Sequence, residues 1–350
     1  MRVCNSACAV AIIALAAFSA HTSHYGTEAN SISTMKHSSQ QHEPLRSQLI
    51  RLQTELGLSL VVADRNELQI VEYAGRRTTR LGAFLRAGSA ALGSVNRDGT
   101  QVAFALCPEP GFSSPTPFRT VCPGGSVYLG VARVDGTRFR KYPSLTWPYG
   151  LCWSPDSSKL ALSVSERNDP SHAAEGLQIF DLQAEDTQML VPDLDAHITE
   201  QCWSPDGKQI VYSVTNPGVA KIRIYDLVRK VSADLAGHAT GTCPSWSPDG
   251  QWIGLLEEEN PESRAEMIYY LVRQRGGTVK ILARGGIYDG PLIWSPDSRF
   301  VAYVGSHPGS DERRLWVRRL EDGAEDWFAT LSETDIASFQ WVQNPDLLKR

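Results

Sequence analysis

The chain has 350 residues, 42% of them hydrophobic and 21% charged, a balance that fits a soluble globular protein and excludes a largely disordered or fully membrane-embedded one. Its formal net charge is −5, with 34 Lys and Arg scattered among 39 Asp and Glu, so no clustered basic surface for nucleic acid is expected. The nine Trp are the informative excess, and most of them fall in a repeat.

Residues 1–19 read as a secretory signal. Arg2 supplies a positive start, Ala7 to Phe18 is apolar, and Ala17 and Ser19 are small residues suited to cleavage after Ser19. The apolar run falls short of the roughly 20 residues that cross a bilayer, so no membrane span is expected after cleavage. Residues 20–43 are rich in Ser, His, Gln and Thr and read as a flexible linker, because such a segment buries too little surface to offset its ordering entropy. Residues 44–56 place Leu45, Leu49, Leu52 and Leu56 at helical spacing, which predicts a short helix lying against the following domain.

From residue 57 to 350 the period changes to two. Leu58–Val62, Leu68–Tyr73 and Thr78–Phe84 read as three short strands. A five-residue phrase then recurs: Trp153-Ser-Pro-Asp156-Ser, Trp203-Ser-Pro-Asp206-Gly, Trp246-Ser-Pro-Asp249-Gly and Trp294-Ser-Pro-Asp297-Ser. Degenerate copies begin at Val95 and Trp341, and the steps between the six copies are 58, 50, 43, 48 and 47 residues. A period of roughly 40–50 residues with four strands per unit predicts a six-bladed β-propeller of four-stranded blades. The chain stops soon after Trp341, so the three strands from Leu58 are expected to complete the last blade and close the ring.

The motif residues suit a structural role. Pro fixes φ, Ser and Asp bond local backbone groups, and Gly accepts positive φ. Each Trp can bury on the order of 150–250 Å² between neighbouring blades. The Asp residues stand at equivalent turns around the ring, too far apart to act as one carboxylate cluster.

This Trp-Ser-Pro-Asp-Gly/Ser phrase, followed by a strand such as Gln209-Ile-Val-Tyr212, resembles the propeller repeats of TolB-like proteins, also called WD40-like or PD repeats. The resemblance covers about Leu58 to Arg350. It implies a six-bladed propeller in a periplasmic or exported protein, often a protein-binding platform. TolB-like chains carry an α/β domain before the propeller, and residues 20–56 are too short for one.

Function is expected on the face opposite the Ser-Pro-Asp turns, where the long insertions 107–125, 166–175, 257–265 and 306–312 fall. Trp147, Tyr149, His197, His238, Tyr288 and Asp289, on the links entering successive blades, form the expected partner surface. An alternative gives His197, His238, Asp193 and Asp195 to a metal, in a metal-dependent lyase or hydrolase acting at the channel mouth. Cys107 and Cys122 bracket the longest insertion and make a plausible disulfide in an oxidising compartment. Cys152, Cys202 and Cys243 are read as buried thiols. No nucleophile elbow, H-E-x-x-H, Walker A or dinucleotide fingerprint occurs. The reading is therefore an exported protein-interaction platform that needs no cofactor, with a cell-envelope component as its partner.

Overall fold

An inner strand before each Ser-Pro-Asp turn and a largely buried apolar run after it, such as Ile210–Val214 and Phe300–Ser306, produce antiparallel strand pairs. They are seen in a computed structural model that describes residues 45, 47–48, 58–63, 67–72, 77–83, 89–107, 127–133, 137–145, 147–165, 176–192, 197–216, 219–237, 240–258, 267–276, 279–306, 312, 314–330 and 338–343. The signal 1–19, the linker 20–43 and most of the helix 44–56 lie outside these residues. Leu45, Ser47 and Gln48 are helical; Leu45 is buried, and Gln48 Oε1 accepts a hydrogen bond from Arg319 Nη1 at 2.8 Å.

The first strands are β1 (Leu58–Ala63), β2 (Glu67–Glu72) and β3 (Arg77–Ala83). One four-stranded sheet follows from β4 (Ser89–Val95), β5 (Gln101–Cys107), β6 (Val127–Arg133) and β7 (Arg140–Leu145). A second comprises β8 (Trp147–Trp153), β9 (Lys159–Ser165), β10 (Gly176–Asp181) and β11 (Asp186–Pro192). A third comprises β12 (His197–Trp203), β13 (Gln209–Asn216), β14 (Val219–Asp226) and β15 (Val231–Asp234). Then come β16 (Thr242–Trp246), β17 (Trp252–Glu258), β18 (Met267–Arg273), β19 (Val279–Trp294), β20 (Phe300–Ser306), β21 (Arg314–Arg319) and β22 (Glu325–Thr330), all in one sheet. The last strand, β23 (Ser338–Gln343), pairs antiparallel with β1 from Leu58↔Gln343 to Ala63↔Ser338, so one sheet draws on both ends of the described chain.

The structure is an all-β propeller, but the expectation of six separate four-stranded blades is overturned. The described strands form five sheets, four of four strands and one of seven. The cause is β19, which runs for 16 residues without a break. Its first half pairs with β18 as far as Gly286, and its second half pairs with β20 from Ile287 onward. Counting turn motifs overcounts sheets, because a motif marks where an inner strand meets the next strand. It does not mark where the preceding sheet stops.

The turns are chemically uniform. In each intact copy the Ser hydroxyl is buried, donates to the Asp carboxylate two residues on at 2.6 Å, and accepts the backbone N–H five residues on at 2.9 Å. Asn96 does this work in the first copy, its Oδ1 accepting from the N–H groups of Thr100 and Gln101 at 2.9 Å. Gly207 and Gly250 adopt φ of +70° and +72° at the last turn position. Ser157 and Ser298 hold the same left-handed conformation, at +59° each, where a side chain is strained. Both hydroxyls reach the preceding turn: Ser157 Oγ accepts from Asn96 Nδ2 at 3.1 Å, and Ser298 Oγ from the Asp249 N–H at 3.0 Å.

Each Trp packs at the turn end of its inner strand, with registers Trp153↔Leu160, Trp203↔Ile210, Trp246↔Ile253 and Trp294↔Val301. Three indoles also tie neighbouring inner strands together. Trp153 Nε1 donates to Ser94 O at 2.8 Å, Trp294 Nε1 to Ser245 Oγ at 3.1 Å, and Trp341 Nε1 to Ile293 O at 3.0 Å. Each acceptor belongs to the residue just before the matching position of the preceding repeat. Trp246 Nε1 turns back to Gly250 O in its own turn at 3.4 Å, and the buried Trp203 Nε1 has no partner.

Two outcomes follow. Trp294→Phe is expected to destabilise the protein by about 1 kcal/mol more than Trp203→Phe, since only the first removes a made hydrogen bond; paired urea denaturation curves measure the difference. Acid should also loosen the fold. Asp156 and Asp206 are held below the usual carboxylate range, first by their Ser hydroxyls, and Asp181 is lowered to about 2 by the Ala184 N–H, Lys159 and the Gln183 N–H. A depressed carboxyl contributes stability that is full above its unfolded value of about 4 and is lost as pH falls toward its folded value. The urea midpoint is therefore expected to drop between about pH 4 and 2, with a shallower slope in Asp181→Asn.

Candidate functional site: the propeller axis

The inner strands β4, β8, β12, β16 and the second half of β19 surround a cavity of about 270 Å³. It extends to the turn face, where Arg97, Pro155, Pro205 and Pro248 line it. Most of the wall is apolar, as the motif predicts. Its polar lining includes Ser94, Arg97, Ser154 and Ser245, and on β12 the adjacent pair Glu200 and Gln201.

Glu200 is 9% exposed. Its Oε2 accepts the Cys243 N–H at 2.7 Å and the Ser213 hydroxyl at 3.2 Å, which ties β12 to β16. Cys243 needs that tie. It sits at φ +49° within a register shift of β16, a conformation that side-chain-bearing residues rarely adopt. Cys243, read as a thiol from the sequence, is disulfide-bonded. Gln201 is 8% exposed; its Nε2 donates to Ala161 O on β9 at 3.0 Å, whereas its Oε1 is buried without a partner. Gly150 makes room for it, since a Cβ there would stand 2.9 Å from that oxygen. An orphaned buried acceptor is uncommon, and Gln201 is among the residues that line the axial cavity.

Sequence reasoning missed both residues, although superposing the repeats exposes them. At three residues before the motif position, the second, fourth and fifth copies have Gly150, Cys243 and Pro291, and only the third has an acid. One residue later, Gly93, Leu151, Pro244, Leu292 and Phe339 contrast with Gln201.

Of the residues expected to form the partner surface, the backbone places Trp147, Tyr149, His197, Tyr288 and Asp289 on inner strands. Trp147 pairs with Ser165, His197 with Thr215 and Tyr288 with Gly305, so these positions occupy the strand ends farthest from the turns. Their side chains lie outside the described residues, as do His238, Asp193, Asp195, Cys122, the Cys107 side chain, and most of the insertions 107–125, 166–175, 257–265 and 306–312. The disulfide expected between Cys107 and Cys122 therefore also falls outside them. Among the described residues no three His, Cys, Asp or Glu side chains converge as metal ligands. No described helix is long and apolar enough to cross a membrane.

No protein-family model and no curated protein sequence matches the chain. Its fold is nevertheless that of known β-propellers. TolB from Acinetobacter baumannii superposes with a TM-score of 0.61 at 17% identity, over 81% of this chain and 66% of that one. This chain thus spans just under two thirds of that protein's length. A putative TolB from Agrobacterium tumefaciens gives 0.56 at 18% identity, over 77% and 90%. An oligogalacturonate lyase in complex with manganese gives 0.56 at 15% identity, over 75% and 74%. Structurally, then, this is a β-propeller whose fold is like that of TolB structures and of an oligogalacturonate lyase.

Glu200→Ala should lower stability by about 3 kcal/mol, because it removes the carboxylate that accepts the Cys243 N–H and the Ser213 hydroxyl. Glu200→Gln retains an acceptor oxygen and is expected to lose less than half as much. Urea denaturation of the two variants gives the comparison.

Proposed function

We propose that this chain is an exported protein-interaction platform that receives its partner at the propeller face opposite the Ser-Pro-Asp turns. The observation that carries the reading is the placement of Trp147, Tyr149, His197, Tyr288 and Asp289 at the far ends of three inner strands. Three of these strand-end positions carry Trp or Tyr, residue types enriched at the centres of protein interfaces. The signal-like residues 1–19 and the likeness to TolB structures support export to the periplasm or beyond, with a cell-envelope component as the partner.

The second reading is a metal-dependent lyase or hydrolase that uses His197, His238, Asp193 and Asp195; the manganese-bound oligogalacturonate lyase of like fold supports it. One experiment separates the two. Tagged full-length protein is used to capture partners from the envelope fraction, with and without a chelator, and the captured partner is titrated against Trp147→Ala, Tyr149→Ala and Tyr288→Ala. Chelator-resistant capture, weakened at least tenfold by these changes, is the expected result. Stoichiometric bound metal with turnover of an acidic oligosaccharide would transfer the assignment to the lyase reading.

A further inference from the structure

Neighbouring inner strands are tied by different groups at different joints. Indole bonds serve β4–β8, β16–β19 and β19–β23, and Glu200 serves β12–β16. The joint between β8 and β12 lacks its indole bond, for the Trp203 indole N–H is unpartnered. Two thiols stand there instead. Cys152 and Cys202 each precede a motif Trp, are half-buried and free, and line the same axial cavity. The Trp203 backbone N–H donates to Cys152 Sγ at 3.4 Å, which brings that sulfur against the residue next to Cys202.

We infer that Cys152 and Cys202 form a thiol pair at which a low-molecular-weight disulfide closes a reversible covalent bridge between β8 and β12. No other described joint juxtaposes two free thiols. The pair is also polarised. The proximity of the two sulfurs lowers the Cys202 pKa, while the Cys202 side chain and burial push Cys152 well up. Cys202 is the attacking thiolate. It displaces one thiolate from the small disulfide and becomes a mixed disulfide. Cys152 then gives up its proton and attacks the Cys202 sulfur, which expels the second thiolate. The two thiol protons end on the two released small thiols, the protein loses two electrons, and the oxidant gains them. The bridge would staple the joint that the indole leaves untied. This inference does not depend on what the propeller binds.

The test uses the full chain, treated with oxidised glutathione, alkylated and digested with trypsin without reduction. Cleavage after Lys159 and Arg167 puts the two cysteines on different peptides. The expected product is one linked species joining the Cys152 and Cys202 peptides, lighter by two hydrogens than their sum and released by reductant. Its formation should raise Tm by about 5 °C. In Cys152→Ser, Cys202 should retain a single glutathione. Alkylation of both cysteines in the oxidised wild-type protein, glutathione left on Cys202 without closure, or linkage of either one to Cys243 would overturn the inference. If Cys152→Ser fails to fold, the wild-type peptide map decides the question alone.

Discussion

The ring depends on how each inner strand is fastened to the next one. A single sheet of this kind leaves apolar faces that only a neighbouring sheet can cover, and the inner strands make the closest approach. At three described joints the fastener is a Trp indole reaching across to the residue before the matching position in the preceding repeat. The same side chain fills the gap between sheets and satisfies its one polar atom by crossing that gap. Burial and specificity are thereby supplied by one residue.

Where the indole does not cross, other chemistry occupies the joint. Glu200 reaches from β12 to a strained backbone N–H in β16, and between β8 and β12 the Trp203 N–H donates to Cys152 Sγ, with Cys202 lining the same cavity. These departures from the repeat lie side by side along one arc of the axis, together with the orphaned oxygen of Gln201. The remainder of the described axial wall is regular. A symmetric scaffold thus carries a locally asymmetric cavity, and the asymmetry is where polar chemistry can reside.

The turns show the same division between rule and exception. Buried Ser hydroxyls bracket every intact copy, with geometry repeated to within a tenth of an ångström. The two Ser residues that replace Gly adopt the left-handed conformation regardless, and each receives a hydrogen bond from the turn before it. Local strain at these positions is offset by contacts between repeats, which a reading of one turn in isolation does not reveal.

By itself the sequence determined the propeller class, the motif geometry, and the strands from Leu58 onward, because period-two patterning and Ser-Pro-Asp turns are local properties. The number of sheets was decided by tertiary structure. Nothing local in residues 279–294 tells whether the strand breaks between its partners, and hydrogen bonding to both β18 and β20 carries it through. The axial site was legible only in outline. Glu200 and Gln201 stand out once the repeats are superposed, but their partners, Cys243, Ser213 and Ala161, come from other strands. The approach of Cys152 to the strand that carries Cys202, 50 residues on in the chain, likewise required the ring to bring two equivalent positions side by side.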